Sequence, residues 1–157
     1  MKKTIILLCG MLLVSGLYSA NNKMTIDINA GVMTDKDLSF SPIFWSLGAE
    51  IDIPLGKIMF LAPELLFVSY KFEFEHFLVF PGVLLNVQFG SFFAGGGVTK
   101  AFFLSGGTMT EIPDAFFLKV NGGLISDNLK ITVYLDTPFT SEAFKDFIVG
   151  ATIGFRL

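Results

Sequence analysis

Met24-Thr25-Ile26-Asp27-Ile28-Asn29-Ala30-Gly31-Val32 alternates apolar with polar or small residues at every step. Successive side chains of a strand point to opposite faces, so this period of two describes a strand with one apolar face and one polar face. Its length, about ten residues, is that of a tilted membrane-crossing strand. The pattern recurs along the chain. Ile43, Trp45, Leu47, Ala49, Ile51 and Ile53 face one way, and Phe44, Ser46, Gly48, Glu50 and Asp52 the other. Further strands are expected at 58–69, 77–88, 92–100, 115–125, 129–136 and 147–157, with Gly95-Gly96-Gly97 hiding the phase of the fifth.

The charges are sorted by this alternation. Asp27, Glu50, Asp52, Glu64, Lys119, Lys130, Asp136 and Arg156 all fall on one face of their strands, and the other face is uncharged. A charge turned to lipid near the bilayer midplane costs about 2–4 kcal/mol, which selects for such sorting. A soluble barrel shows the reverse, polar outside and apolar within.

Composition agrees. The 157 residues are 52% hydrophobic and 16% charged, with 19 Phe and 16 Gly. Mean hydropathy is +0.66. This bounds one domain and excludes both disorder and an ordinary soluble surface. The net charge of -3 supplies no basic footprint for nucleic acid. Lys2 and Lys3, the apolar run 4–17 and the small pair Ser19-Ala20 read as a secretory signal peptide over residues 1–20. Its loss takes the charge from -3 to -5, by removing Lys2 and Lys3, and removes Cys9, the single cysteine. Residues 21–157 then form one domain. Beyond the signal, the longest uncharged apolar stretch, 77–85, is too short for a membrane helix. Only helices and closed barrels satisfy their own backbone in lipid, so an exported, strongly apolar chain without a spanning helix is expected to close as a barrel.

The expected connections are 34–42, 54–57, 70–76, 89–91, 104–113, 126–128 and 137–145, alternately longer and shorter. Outer-membrane barrels have short periplasmic turns and longer external loops. Both chain ends then lie in the periplasm, which requires an even strand number, here eight.

Phe147, Val149, Ala151, Ile153, Phe155 and Leu157 are apolar at every second position up to the last residue. This run resembles the C-terminal assembly signal of outer-membrane proteins, carried here by Val149, Ile153, Phe155 and Leu157. Such signals usually end in an aromatic residue, where this chain has Leu157. Leu61-Ala62-Pro63-Glu64-Leu65 and Phe80-Pro81-Gly82-Val83-Leu84-Leu85 resemble strand segments of small outer-membrane barrels. Over its mature length the chain is similar to the OmpA-domain and OmpX type. That resemblance implies an all-β, eight-stranded antiparallel up-and-down transmembrane barrel in the outer membrane of a diderm bacterium. It also implies outer-membrane lipid as surroundings and the barrel-assembly machinery as a partner during biogenesis.

No catalytic constellation, metal-ligand spacing or cofactor motif emerges. His76 stands beside Glu73 and Glu75, with Ser69 nearby. A lipid-modifying hydrolase would need such a base beside a nucleophile, but a solvated loop histidine is the favoured reading. Gly95-Gly96-Gly97 lacks the lysine of a phosphate loop and reads as close packing.

The inward charges form an expected polar network of Asp27, Glu50, Asp52, Glu64, Lys119, Lys130 and Arg156. Glu64 and Lys119 lie at mid-depth and the others nearer the periplasm. Eight strands enclose a space that side chains alone can fill, which favours a plug over a narrow ion path. The external half of the interior is apolar: Met33, Phe44, Leu66, Val68, Leu78, Phe80, Phe117 and Ile148. A dry core is the plainer reading. A pocket for an acyl chain or other hydrophobic ligand, around Phe44, Leu66, Phe80 and Phe117, is the sharper one. The functional expectation is a monomeric, non-enzymatic barrel with a structural or surface-interaction role. A hydrophobic-ligand binder or conduit, and a lipid-modifying enzyme, stand as alternatives.

Overall fold

A computed structural model describes residues 23–37, 43–70, 76–139 and 146–157. Its elements are β1 (Thr25–Asp35), β2 (Phe44–Pro54), β3 (Met59–Tyr70), β4 (His76–Phe89), β5 (Phe92–Ser105), β6 (Thr108–Ile125), β7 (Leu129–Pro138) and β8 (Ile148–Arg156). Each strand runs antiparallel to the next, and β8 pairs back onto β1 from Asp27↔Arg156 to Asp35↔Ile148. The sheet is thus a closed eight-stranded up-and-down barrel. Closure extends to the last residue, where the Leu157 amide donates to the Ile26 carbonyl at 2.9 Å. The described chain begins and finishes at one end of the barrel, here the termini end; the other is the loop end.

The period of two becomes an inside and an outside. Along β1, Ile26 and Ile28 are 39% and 45% exposed, whereas Asp27 and Asn29 are buried. Leu47, Val83, Val98, Val120, Val133 and Ile153 carry the same exposed apolar surface around the wall. Val79 belongs to that outer face yet is 1% exposed, because its register neighbours are Phe67 and Phe102.

The fifth and sixth strands differ from expectation. The loop expected at 104–113 is replaced by longer strands joined through Gly106 and Gly107. Both glycines have positive φ, 56° and 79°, the conformation that a two-residue hairpin turn needs to match strand twist. The phase hidden by the glycine run is settled by burial, with Phe93, Thr99 and Ala101 facing inward. Lys100 therefore points outward, where it pairs with exposed Glu111 beside the Phe102 and Phe116 rings, so the expected charge-free outer face does not extend to the loop-end part of β5 and β6.

Two prolines interrupt the wall. The β2–β3 ladder breaks between Glu50↔Glu64 and Ile53↔Leu61, beside Pro63. The β4–β5 ladder breaks between Val79↔Phe102 and Gly82↔Thr99, where Phe80-Pro81 face Lys100-Ala101. Proline has no amide hydrogen to give a ladder. On the other side of β5, Lys100↔Phe116 is followed by Phe102↔Glu111, so residues 112–115 of β6 bulge opposite the single residue Ala101. Ile112 and Ala115 of that bulge pack onto the apolar interior.

Candidate functional site

The barrel interior is built in two parts. Toward the termini end, β1, β2, β7 and β8 turn their charged positions inward. Lys130 Nζ donates to Glu50 Oε1 and, at 2.9 Å, to Asp52 Oδ1. It also lies 3.9 Å from Asp27 Oδ2. Arg156 Nη2 donates to Asp52 Oδ2 and to Thr25 Oγ1, both at 2.7 Å, and its Nε is 3.2 Å from Asp27 Oδ1. The opposite wall is aromatic: Lys130 Nζ is 4.9 Å and 5.0 Å from the ring centroids of Phe60 and Phe93. Those rings belong to a small apolar cluster with Ala62, Leu84 and Ile125. The ammonium is therefore held by carboxylates on one side and ring faces on the other.

At mid-depth Lys119 Nζ donates to Glu64 Oε1 at 2.7 Å and sits 4.1 Å over the Tyr134 ring. Asp136 is its partner across the β6–β7 ladder and is buried. Asn86 and Asn121, also buried, flank Gly95 in register. All seven residues of the expected polar network thus line the interior. Asp136, which alternation along 129–136 already turned to the same face, belongs beside them, and the structure places it opposite Lys119. Of the aromatic partners of Lys130, Phe60 had no sequence signal beyond inward parity, and Phe93 had none, because the glycine run hides the phase of its strand.

Asp27, Glu50 and Asp52 bring carboxylate oxygens within 4.8 Å of one another. Oxygens so placed suit a hard cation. Here the Lys130 ammonium stands among them and supplies that positive charge itself. Beyond the network, at the termini end, a cavity of about 490 Å³ reaches Asp52 and Arg156 and is also lined by Lys23, Thr25, Phe60 and Gln88.

Toward the loop end the interior is apolar. Met33, Leu66, Val68, Phe80, Ala101 and Tyr134 form one buried cluster, with Phe44, Leu78, Ile112, Ala115, Phe117 and Ile148 packed against it. Phe80 and Phe117 meet edge to face, centroids 5.9 Å apart. Phe44, Leu66, Phe80 and Phe117 therefore come together in a packed layer that separates the charged interior from the loop end.

His76 lies at the loop-end rim. Its Nδ1 is 2.9 Å from Ser105 Oγ, and its ring stacks on Phe103 at 5.9 Å. Ser69, the nucleophile considered beside it from sequence, directs its hydroxyl to the Tyr70 carbonyl at 3.4 Å. Glu73 and Glu75 lie outside the described residues. On β8, Val149, Ile153 and Phe155 occupy the outer face, and Leu157 follows just past the strand; the last three of these four are exposed.

A closed eight-stranded wall, apolar outside except for the Lys100–Glu111 pair toward the loop end and ion-paired within, is the fold of a small transmembrane β-barrel. In particular, the chain is similar to Neisserial surface protein A, with a TM-score of 0.61 at 11% identity over 85% of this chain and 96% of that one. It is similar to the N-terminal β-barrel domain of Pseudomonas aeruginosa OprF, with a TM-score of 0.52 at 13% identity over 85% and 97% of the two chains. A de novo designed transmembrane β-barrel gives 0.52 at 13% identity over 87% and 98%. No protein-family model and no curated protein sequence matches the chain. The likeness is one of fold: the chain has the architecture of these small eight-stranded transmembrane barrels.

Proposed function

We propose that this chain is an integral outer-membrane protein of a diderm bacterium, exported by the signal peptide at residues 1–20, with a non-enzymatic structural or surface-interaction role. The observation that carries the reading is the sorting of the wall. Leu47, Val98, Val120 and Val133 are each about half exposed, whereas Asp27, Glu50, Asp52, Lys119 and Lys130 are at most 4% exposed. Such a wall is stable only where lipid covers it. The termini end faces the periplasm and the loop end the exterior. The interior ion pairs act as struts that fill the lumen, and the apolar layer above them supports a plugged barrel rather than a conduit. The barrel is a monomer in outer-membrane lipid, and the barrel-assembly machinery reads Val149, Ile153, Phe155 and Leu157 during insertion.

The test is heat-modifiability. Residues 21–157, refolded in detergent micelles, are run on a denaturing gel with and without boiling. A closed barrel has no free edge to unzip and stays folded in the cold gel, so the two samples migrate differently. A protein that remains soluble without detergent and shows no shift would overturn the membrane reading.

A further inference from the structure

The described lysines and the arginine sort by partner. Lys36 pairs with Asp146, Lys100 with Glu111, Lys119 with Glu64, Lys130 with Glu50 and Asp52, and Arg156 with Asp52. Among the described residues, Lys23 and Lys57 are the cations without a carboxylate partner, and both line the same cavity of about 490 Å³ at the termini end. That volume falls within the roughly 300–1,000 Å³ of small-molecule sites.

Backbone bonds hold Lys57 there. Gly56, just before it in the connection between β2 and β3, has a φ of 138°. The Leu55 amide donates to the Met59 carbonyl at 2.8 Å, and the Gln88 amide to the Ile58 carbonyl at 2.7 Å, tying the connection to β4. Lys23 leads into β1, where Thr25 stands opposite Asp52. Among the described residues of the lining, Asp52 is the one carboxylate, and its oxygens are taken by Lys130 and Arg156. The two free ammonium groups are therefore not neutralised within the cavity. An adjoining cavity of about 540 Å³ shares Thr25, Gln88, Gly90 and Arg156 and adds Asp127, from the turn between β6 and β7. The mouth is thus cationic on one side and acidic on the other.

We propose that this mouth binds a phosphate ester of a small polyol, the phosphate between Lys23 and Lys57 and the polyol reaching toward Gln88 and Asp127. Its placement on the periplasmic side rests on the outer-membrane reading given above. Two ammonium groups suit phosphate, because each is a point charge with rotatable donors. Planar, bidentate recognition of a carboxylate falls to arginine, and Arg156 is already committed to Asp52. The cavity is larger than a phosphate, so the body attached to the phosphate is bound too. That body meets groups that bond hydroxyls. The Thr25 hydroxyl accepts from Arg156 Nη2 and keeps its own proton to donate. Gln88 Nε2 donates one hydrogen to the Gly90 carbonyl at 2.9 Å and keeps the other. Asp127 accepts from a hydroxyl on the far side. The glycerophosphate head of a phospholipid and a free phosphorylated polyol share this chemistry.

The experiment follows backbone amides by NMR in residues 21–157, refolded in maltoside micelles, as glycerol 3-phosphate is added. Glycerol, and sodium sulfate at equal ionic strength, serve as controls. Saturable shifts are expected at Thr25, Gly56, Lys57 and Gly90 with glycerol 3-phosphate, none with glycerol and much smaller ones with sulfate. Lys23→Met and Lys57→Met are each expected to weaken binding several-fold and together to abolish it. Lys36→Met, at the loop end, should leave it unchanged. An equal response to sulfate, or unchanged affinity in the double variant, would overturn the site. Phosphatidylglycerol nanodiscs then tell the source. Amides already displaced there, and returned by Lys57→Met, assign the lipid head; amides that move only when free glycerol 3-phosphate is added assign the soluble ester. Either result upholds the phosphate site, and amides that move in neither case overturn it. Heat-modifiability of the same samples is read in parallel, so an intact shift without binding sinks the site and leaves the membrane barrel standing.

Discussion

Lys119 on β6 and Glu64 on β3 reach each other across the lumen, Nζ to Oε1 at 2.7 Å, with side chains 3% and 7% exposed. Removing one member of such a pair strands the other charge, whereas replacing both is nearly neutral. Lys119→Met leaves Glu64 and Asp136 without their cation and is expected to cost about 3–5 kcal/mol of folding stability. Adding Glu64→Gln to it should recover much of that loss. Urea unfolding in micelles measures both. A single variant that unfolds at the wild-type midpoint would mean that the pair carries no strain-bearing role.

Tyr134 lies against a glycine. A Cβ at position 150 would stand 2.2 Å from the Tyr134 ring carbon Cζ, closer than any real contact. Gly150→Ala should therefore destabilise the barrel by about 1–3 kcal/mol through overpacking. Coupled to Tyr134→Ala, the same change should cost far less than the sum of the two, because the clash has gone. Strict additivity would place the ring elsewhere.

The lipid-facing assignment predicts a dependence on depth. Val133, outward and 54% exposed in the middle of β7, should tolerate arginine poorly in a bilayer. The expected cost is about 2–4 kcal/mol at mid-depth and about 0–1 kcal/mol for Phe139→Arg at the loop end. Equilibrium refolding into vesicles separates the two. Equal and negligible costs would contradict the membrane placement.

The C-terminal run predicts an effect on assembly. Phe155→Asp and Leu157→Asp should slow insertion into vesicles that contain purified assembly machinery, and Leu157→Phe should speed it. If each variant changed the rate equally in vesicles without the machinery, these residues would act through intrinsic folding alone.

At the loop-end rim Lys36 Nζ donates to Asp146 Oδ1 at 2.6 Å. That hydrogen bond, with the charge of Asp146 added, raises the Lys36 pKa above its ordinary value of 10.5. A raised lysine pKa stabilises the fold fully below the unfolded value and loses that stabilisation as pH climbs through the folded one. The pair is exposed, so solvent screens it and the effect is small. Nitrogen NMR of Lys36 should show its titration moving down in Asp146→Asn. An unmoved titration would mean that the pair does not form in solution.

Much of this architecture could be read from the residues alone, because lipid imposes a local rule. Where every second side chain must meet hydrocarbon, the side of Ile26, Leu47 or Val133 follows from its neighbours two positions away. The inward side of Asp27, Glu50 and Lys119 follows with it. Gly106-Gly107 was less legible: two glycines within a polar run mark either a loop or a tight hairpin, and pairing along β5 and β6 decided for the hairpin. Pro63 and Pro81 were visible as prolines in strands, but not that the ladder on only one side of each would break.

Alternation, the sorted charges and the glycine- and phenylalanine-rich composition determined the strands, their faces and the closed barrel, since each is a property of near neighbours in the chain. Tertiary structure alone decided that Lys130 meets Glu50 and Asp52 with Phe60 and Phe93 behind it, and that Lys119 crosses to Glu64. It alone placed Pro81 and residues 112–115 on either side of Ala101. Those relations depend on the stagger between strands distant in sequence, and the stagger is set only when the barrel closes on itself.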